Sequence, residues 1–229
     1  MILALANSKG GVGKSTIAVH LAVWLAERGH KVLFVDSDVQ ASSSVWLGEA
    51  APEIRTVRLL TAEDVVEQFP RLQAEAEYIV VDGPAGLSSV TRAILCLADL
   101  AIFPCGPSVL DVRALIDAVT VLKQIQDVRE GLPRPVIVPN KIQPNYQLSQ
   151  ELLGIVKSFE MPSGDGLRQR QAYAQAAGDG TVVWRMKSAS AREATAELQY
   201  FFQQLISYDS NPNTSPHERR SDSARQAAR

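Results

Sequence analysis

The chain has 229 residues, enough for one α/β domain, and 46% of them are apolar, so a full core forms without disulfides. With 23 basic against 25 acidic residues and a formal net charge of −2, a protein coated in positive charge for nucleic acid is excluded, though a local basic patch is not. No apolar run approaches the length that spans a bilayer, and the opening MILALANSKGG lacks the basic and long apolar segments of a secretion signal, so a cytoplasmic protein is expected.

In chain order, ILALA (2–6) is a buried strand that runs into Asn, Ser and glycines. Helically spaced apolar residues follow at Ile17, Ala18, Leu21, Ala22, Leu25 and Ala26, and Gly29 closes that helix. KVLFVD (31–36) is a second strand, so the three elements form a βαβ unit with parallel strands. YIVVD (78–82), LAIFP (100–104) and PVIVPN (135–140) are apolar without alternation, as strands covered on both faces must be. Helical stretches lie between them, at 88–98, 110–128 and 146–159, and a last helix spans 189–207 with Ala194, Leu198, Phe201, Phe202 and Leu205 as its stripe. Five strands with interleaved helices predict a doubly wound, mostly parallel sheet over residues 1–207. Residues 208–229 have few apolar groups and read as a disordered tail. The two cysteines, Cys96 and Cys105, belong to no C-x-x-C and stand in apolar stretches, which predicts buried, reduced thiols.

The chemistry concentrates in SKGGVGKST (8–16), between the first strand and its helix. Strict G-x-x-x-x-G-K-[ST] needs glycine at position 8, where this chain has Ser8, so the loop is a variant of the phosphate loop. Its physics is intact. Gly10, Gly11 and Gly13 let the backbone curl with its N–H groups inward, and Val12 and Thr16 complete the binding stretch. The helix N-terminus adds its dipole, Lys14 reaches the β- and γ-phosphates, and the Ser15 hydroxyl is a ligand for Mg²⁺. Asp82, at the tip of the strand YIVVD, is a second Mg²⁺ ligand.

Lys9 is surplus to that loop. K-G-G-x-G-K-[ST] resembles the deviant Walker A motif of the ParA/MinD family of ATPases. The resemblance implies a signature lysine that acts across an ATP-sandwich homodimer, touching the phosphates bound by the other subunit. VDSDVQASSSVWL (35–47) is similar to the family's switch I, with Val39 in place of the usual proline. The likeness puts Asp38 near the attacking water and the metal, with Asp36 structural. VDGPAGLSS (81–89) resembles the Walker B and switch II stretch, and IFPCGPSVLDVRAL (102–115) the P-x-x-P-S-x-x-D segment. PNKI (139–142) lies where the family reads adenine, which makes Asn140 the candidate for that role. The implied catalytic set is Lys9, Lys14 and Asp38, with ATP and Mg²⁺. The likeness covers about residues 1–206 and is nearest to small plasmid-partition ATPases of the ParF type.

Within that family three functions compete. A membrane-cycling member would end in an amphipathic helix, and 208–229 has no such stripe. A metal-cluster carrier would present a C-x-x-C. The remaining expectation is a nucleoid-associated ATPase that positions a plasmid, chromosome or other cargo, binds DNA non-specifically and is stimulated by a ParB-like partner. Arg168, Arg170 and Lys187 are its candidate DNA contacts. A deviant-Walker ATPase serving a protein partner without DNA is the alternative.

Overall fold

The computed structural model describes residues 1–159 and 161–210. Six strands, not five, form one all-parallel sheet in the order β3-β2-β4-β1-β5-β6. They are β1 (Ile2–Asn7), β2 (Val32–Asp36), β3 (Arg55–Arg58), β4 (Tyr78–Ala85), β5 (Leu100–Cys105) and β6 (Arg134–Pro139). The additional strand, β3, is a four-residue edge strand, RTVR, whose arginines hide its pattern. The helices among the described residues are α1 (Lys14–Ala26), α2 (Ser42–Ala50), α3 (Ala62–Gln73), α4 (Ser89–Leu97), α5 (Val109–Val128), α6 (Gln147–Ser158), α7 (Gln171–Gly178) and α8 (Ala189–Ser210). Helix α8 runs three residues beyond the expected boundary at 207, and the rest of the predicted tail lies outside the described residues.

Strand pleating sorts the core into two layers. Leu3, Leu5, Phe34, Val80 and Ile102 point to the face covered by α1, α2, α7 and α8. Ile2, Ala4, Val35, Ile79 and Phe103 point to the face covered by α3 to α6. Burial on both faces is why these strands read as continuous apolar runs. Helix α1 lies between the sheet and α8 and is buried on nearly every side, from Ile17 to Leu25.

One polar residue is sealed in that layer. His20 on α1 is fully buried among Trp46, Tyr173 and Trp184, with ring centroids 5.3, 5.9 and 5.5 Å away. Its Nε2 accepts from the Val183 amide at 3.2 Å, so its Nδ1–H donates to the Thr16 carbonyl at 2.7 Å. Burial holds its pKa down at about 4, against the Thr16 hydrogen bond. Both thiols were expected inside, but only Cys105 is buried, with its pKa pushed up to about 12 by desolvation; Cys96 occupies the solvent face of α4.

Candidate nucleotide site

The strands' carboxyl ends meet at one edge of the sheet, where the order reverses around β1 and β4, the usual position for a site in such a sheet. The loop after β1 turns on Gly11 and Gly13, with φ of 73° and 103°. No side chain caps α1, so its first N–H groups are open to an anion. Gly13 is obligatory for a second reason: a Cβ there would lie 2.2 Å from Nδ2 of Asn140.

Lys14 and Lys9 sit in different surroundings. Lys14 is buried and donates to the Lys9 carbonyl at 3.3 Å; burial lowers its pKa, and the charges of Asp82 and Asp38 raise it. Lys9 turns away from its own loop. Its ammonium lies 2.8 Å from Oδ1 of Asp111, with its side chain 38% exposed. Asp111 is fixed at the start of α5: Ser108 caps the helix by accepting from the Asp111 amide, and the Ser108 hydroxyl donates to Oδ2. These are the Ser and Asp of the P-x-x-P-S-x-x-D segment, to which the sequence assigned no role.

Asp36 and Asp82 are direct register partners on β2 and β4, and both are buried. Asp36 is saturated: it accepts from the Asp38 amide at 3.0 Å and from the Ser44 amide and hydroxyl. The structural role expected of it is the one it fills. Asp82 is the opposite. Neither of its oxygens has a hydrogen-bond partner among the described residues; the Ser15 and Ser43 hydroxyls lie beside it and favour its charged form without reaching hydrogen-bond geometry. Burial raises its pKa to about 6, with Asp36 adding to the rise and Lys14 opposing it.

An orphaned, nearly sealed carboxylate is suited to a cation. Ser15, Asp82 and the half-exposed Asp38 are the hard oxygen donors that suit Mg²⁺ together with phosphate oxygens and water. The expected residues therefore fit the metal. Asp38 is close enough for its charge to act on Lys14, and its Oδ1 accepts from the Gln40 amide at 2.9 Å, which leaves Oδ2 for water or metal.

Two of the expected residues already have partners within the chain. Asn140 is tied to the phosphate loop. Its Nδ2 donates to the Val12 carbonyl at 2.7 Å and its Oδ1 accepts from the Lys141 amide, because the end of β6 packs directly on the loop. Arg170 is not a free cation. It is nearly buried between Glu193 and Glu197 of α8, and their carboxylates raise its pKa further. Arg168 lies 3.7 Å from Glu197 but stays half exposed, and Lys187 is exposed.

The comparisons agree with this geometry. The CobQ/CobB/MinD/ParA nucleotide-binding domain matches residues 3–183. The chain is 30% identical over 215 residues to the maintenance of carboxysome distribution protein A of Gloeobacter kilaueensis, covering 89% of this chain and 93% of that one. It is 29% identical over 208 residues to Protein ParA of Rhizobium radiobacter, covering 85% and 90%. Among solved structures, an ATP complex of Cyanothece McdA superposes with a TM-score of 0.75 at 14% identity, over 90% of this chain and 96% of that one, a likeness of fold. With the family model matched over most of its length, the chain belongs to the CobQ/CobB/MinD/ParA nucleotide-binding family.

Proposed function

We propose that this protein is a ParA-like, Mg²⁺-dependent ATPase that dimerises around ATP, binds DNA non-specifically in that state and positions a cargo, with hydrolysis stimulated by a ParB-like or cargo-adaptor partner. The placement of Lys9 carries the reading. A second lysine in a phosphate loop that already has Lys14, turned outward onto Asp111, serves a phosphate that its own subunit does not hold. The rim of the site supports a second copy as the occupant. Val39, Val45, Val109, Leu110 and Tyr146 are all more than 60% exposed around the carboxyl edge.

When bound, Mg²⁺ would be held by Ser15 and Asp82 and would supply positive charge that neutralises the transferred group. The chain's own residues do the rest. The loop amides and Lys14 hold the phosphates, Asp38 orients water, and Lys9 stabilises the partner subunit's phosphates. Phosphate passes to water, leaving ADP.

The DNA-facing cations are Arg168 and Lys187, joined by exposed Arg192; Arg170 serves as their internal brace. The relatives' names include carboxysome distribution and ParA, and the partner selects the cargo. The direct test is binding to non-specific double-stranded DNA with ATP, with ADP and without nucleotide, across a salt series. Binding that needs ATP and weakens with salt is expected, and alanine at Arg168, Lys187 and Arg192 together should remove most of it. Intact ATP hydrolysis without DNA binding in any state would overturn the DNA reading and leave a protein-partner ATPase.

A further inference from the structure

The turn that carries Asp38 is tied from within. The Asp38 amide donates to Oδ1 of Asp36 at 3.0 Å, the Gln40 amide to Oδ1 of Asp38 at 2.9 Å and the Ala41 amide to the Asp38 carbonyl at 3.1 Å. The turn ends on Ala41, whose φ of 54° is a left-handed conformation that a residue with a side chain keeps only when its surroundings impose it.

A further contact comes from outside, from the edge strand. Arg58, the last residue of β3, is the register partner of Asp36, and its Nη2 donates to the carbonyls of Asp38 and Val39 at 3.3 and 3.2 Å. Arg55, at the other end of the strand, pairs with Glu75, whereas Arg58 has no carboxylate partner among the described residues. Its charge is spent on two neighbouring carbonyls of one turn. Val39 is held by little else. It is 75% exposed, and its amide makes no hydrogen bond among the described residues, so the Arg58 contact alone fixes its peptide.

We propose that Arg58 is a positioning residue for Asp38: its two hydrogen bonds keep the turn closed, so that Oδ1 stays on the Gln40 amide and Oδ2 is left for water. The inference rests on the reading of Asp38 as the residue that orients water. The test compares Arg58→Met in the wild-type chain and in a Val39→Pro background. Proline fixes φ at about −65° and has no N–H. Val39 has no positive φ and its amide donates to nothing, so the ring supplies the constraint that the guanidinium supplies now.

In the nucleotide-free chain, Arg58→Met should speed hydrogen exchange of the Gln40 and Ala41 amides by about fivefold without moving the denaturant midpoint. In turnover of ATP with Mg²⁺ it should lower kcat by about fivefold, the size of a charged hydrogen bond at an exposed position, and leave KM within about twofold. In the Val39→Pro background both effects of Arg58→Met should shrink below about twofold. Unaltered exchange, effects of equal size in the two backgrounds, or a loss of kcat that follows a lower midpoint would each overturn the inference. A wild-type chain that hydrolyses no ATP would overturn the ATPase reading and the water-orienting role with it, while the exchange rates, measured without nucleotide, still decide whether Arg58 closes the turn.

Discussion

The ends of β2 and β4 are neighbours with the same residue in register, and they have opposite energetics. At the β2 end, Asp36 receives three hydrogen bonds and fixes the turn into α2. At the β4 end, Asp82 is as deeply buried and receives none. Burial of a carboxylate is tolerable when donors replace water and costly when they do not. The first arrangement is a structural joint. The second leaves its cost unrecovered among the described residues, and that contrast distinguishes two residues the strand pattern alone cannot rank.

The largest expected effect breaks the contrast at Asp82. Asp82→Asn removes the metal-seeking charge, so Mg²⁺-dependent ATP turnover should fall by two orders of magnitude or more, ~3 kcal/mol of barrier. The same change should stabilise the nucleotide-free chain by about 2 kcal/mol at pH 7.5, read as a higher denaturant midpoint. A variant that is both inactive and less stable would mean that Asp82 is a joint like Asp36. Asp36→Asn should do the reverse. Its amide turns a donor toward the Asp38 or Ser44 donors, at a cost of roughly 1–3 kcal/mol, with nucleotide affinity retained at temperatures where it stays folded.

Acid sharpens the comparison. The folded pKa of Asp82 is raised to about 6, so its penalty is present in full above that pH and is relieved as pH falls toward its unfolded value near 3.8. His20 has the opposite sign. Its folded pKa of about 4 lies below the unfolded value of 6.5, so the unfolded chain takes up protons first and stability is lost as pH falls through that window. Each effect reaches about 3 kcal/mol, and the two nearly cancel in the wild type. Asp82→Asn leaves His20 unopposed. Denaturation midpoints measured from pH 7 to 4 should therefore fall more steeply in the variant, and parallel curves would sink the assignment.

Much of this was legible in the sequence, and what was missed has physical causes. The five long strands were read because burial on both faces makes them apolar throughout. The phosphate loop was read because glycines, lysine and hydroxyl must occur in that order for phosphate to be held. β3 was hidden because an edge strand needs few apolar residues. α2 was hidden because its first turn is serine. The contact of the Asn140 amide with the Val12 carbonyl was hidden because position along β6 does not reveal it. The ion pairs of Arg170 were hidden because its glutamates lie 23 and 27 residues away, on a helix whose packing the local sequence does not state.

The smallest effect concerns the other pair of contrasting ends, the two lysines. Lys9 is held by Asp111 in a half-exposed ion pair, worth on the order of 0.5–1 kcal/mol. If Lys9 must leave Asp111 to reach a second subunit, that energy opposes assembly. Asp111→Asn keeps the acceptor that Ser108 uses and removes the charge that Lys9 uses, so ATP-dependent dimers should tighten by about three- to fivefold in sedimentation equilibrium. The control is the same substitution in a Lys9→Ala background, where the ion pair is already gone and no further change is expected. A shift of equal size in both backgrounds would place the effect in the α5 cap rather than in the lysine. A shift confined to the Lys9 chain would show that the monomer holds its signature charge back until a second copy supplies the phosphate.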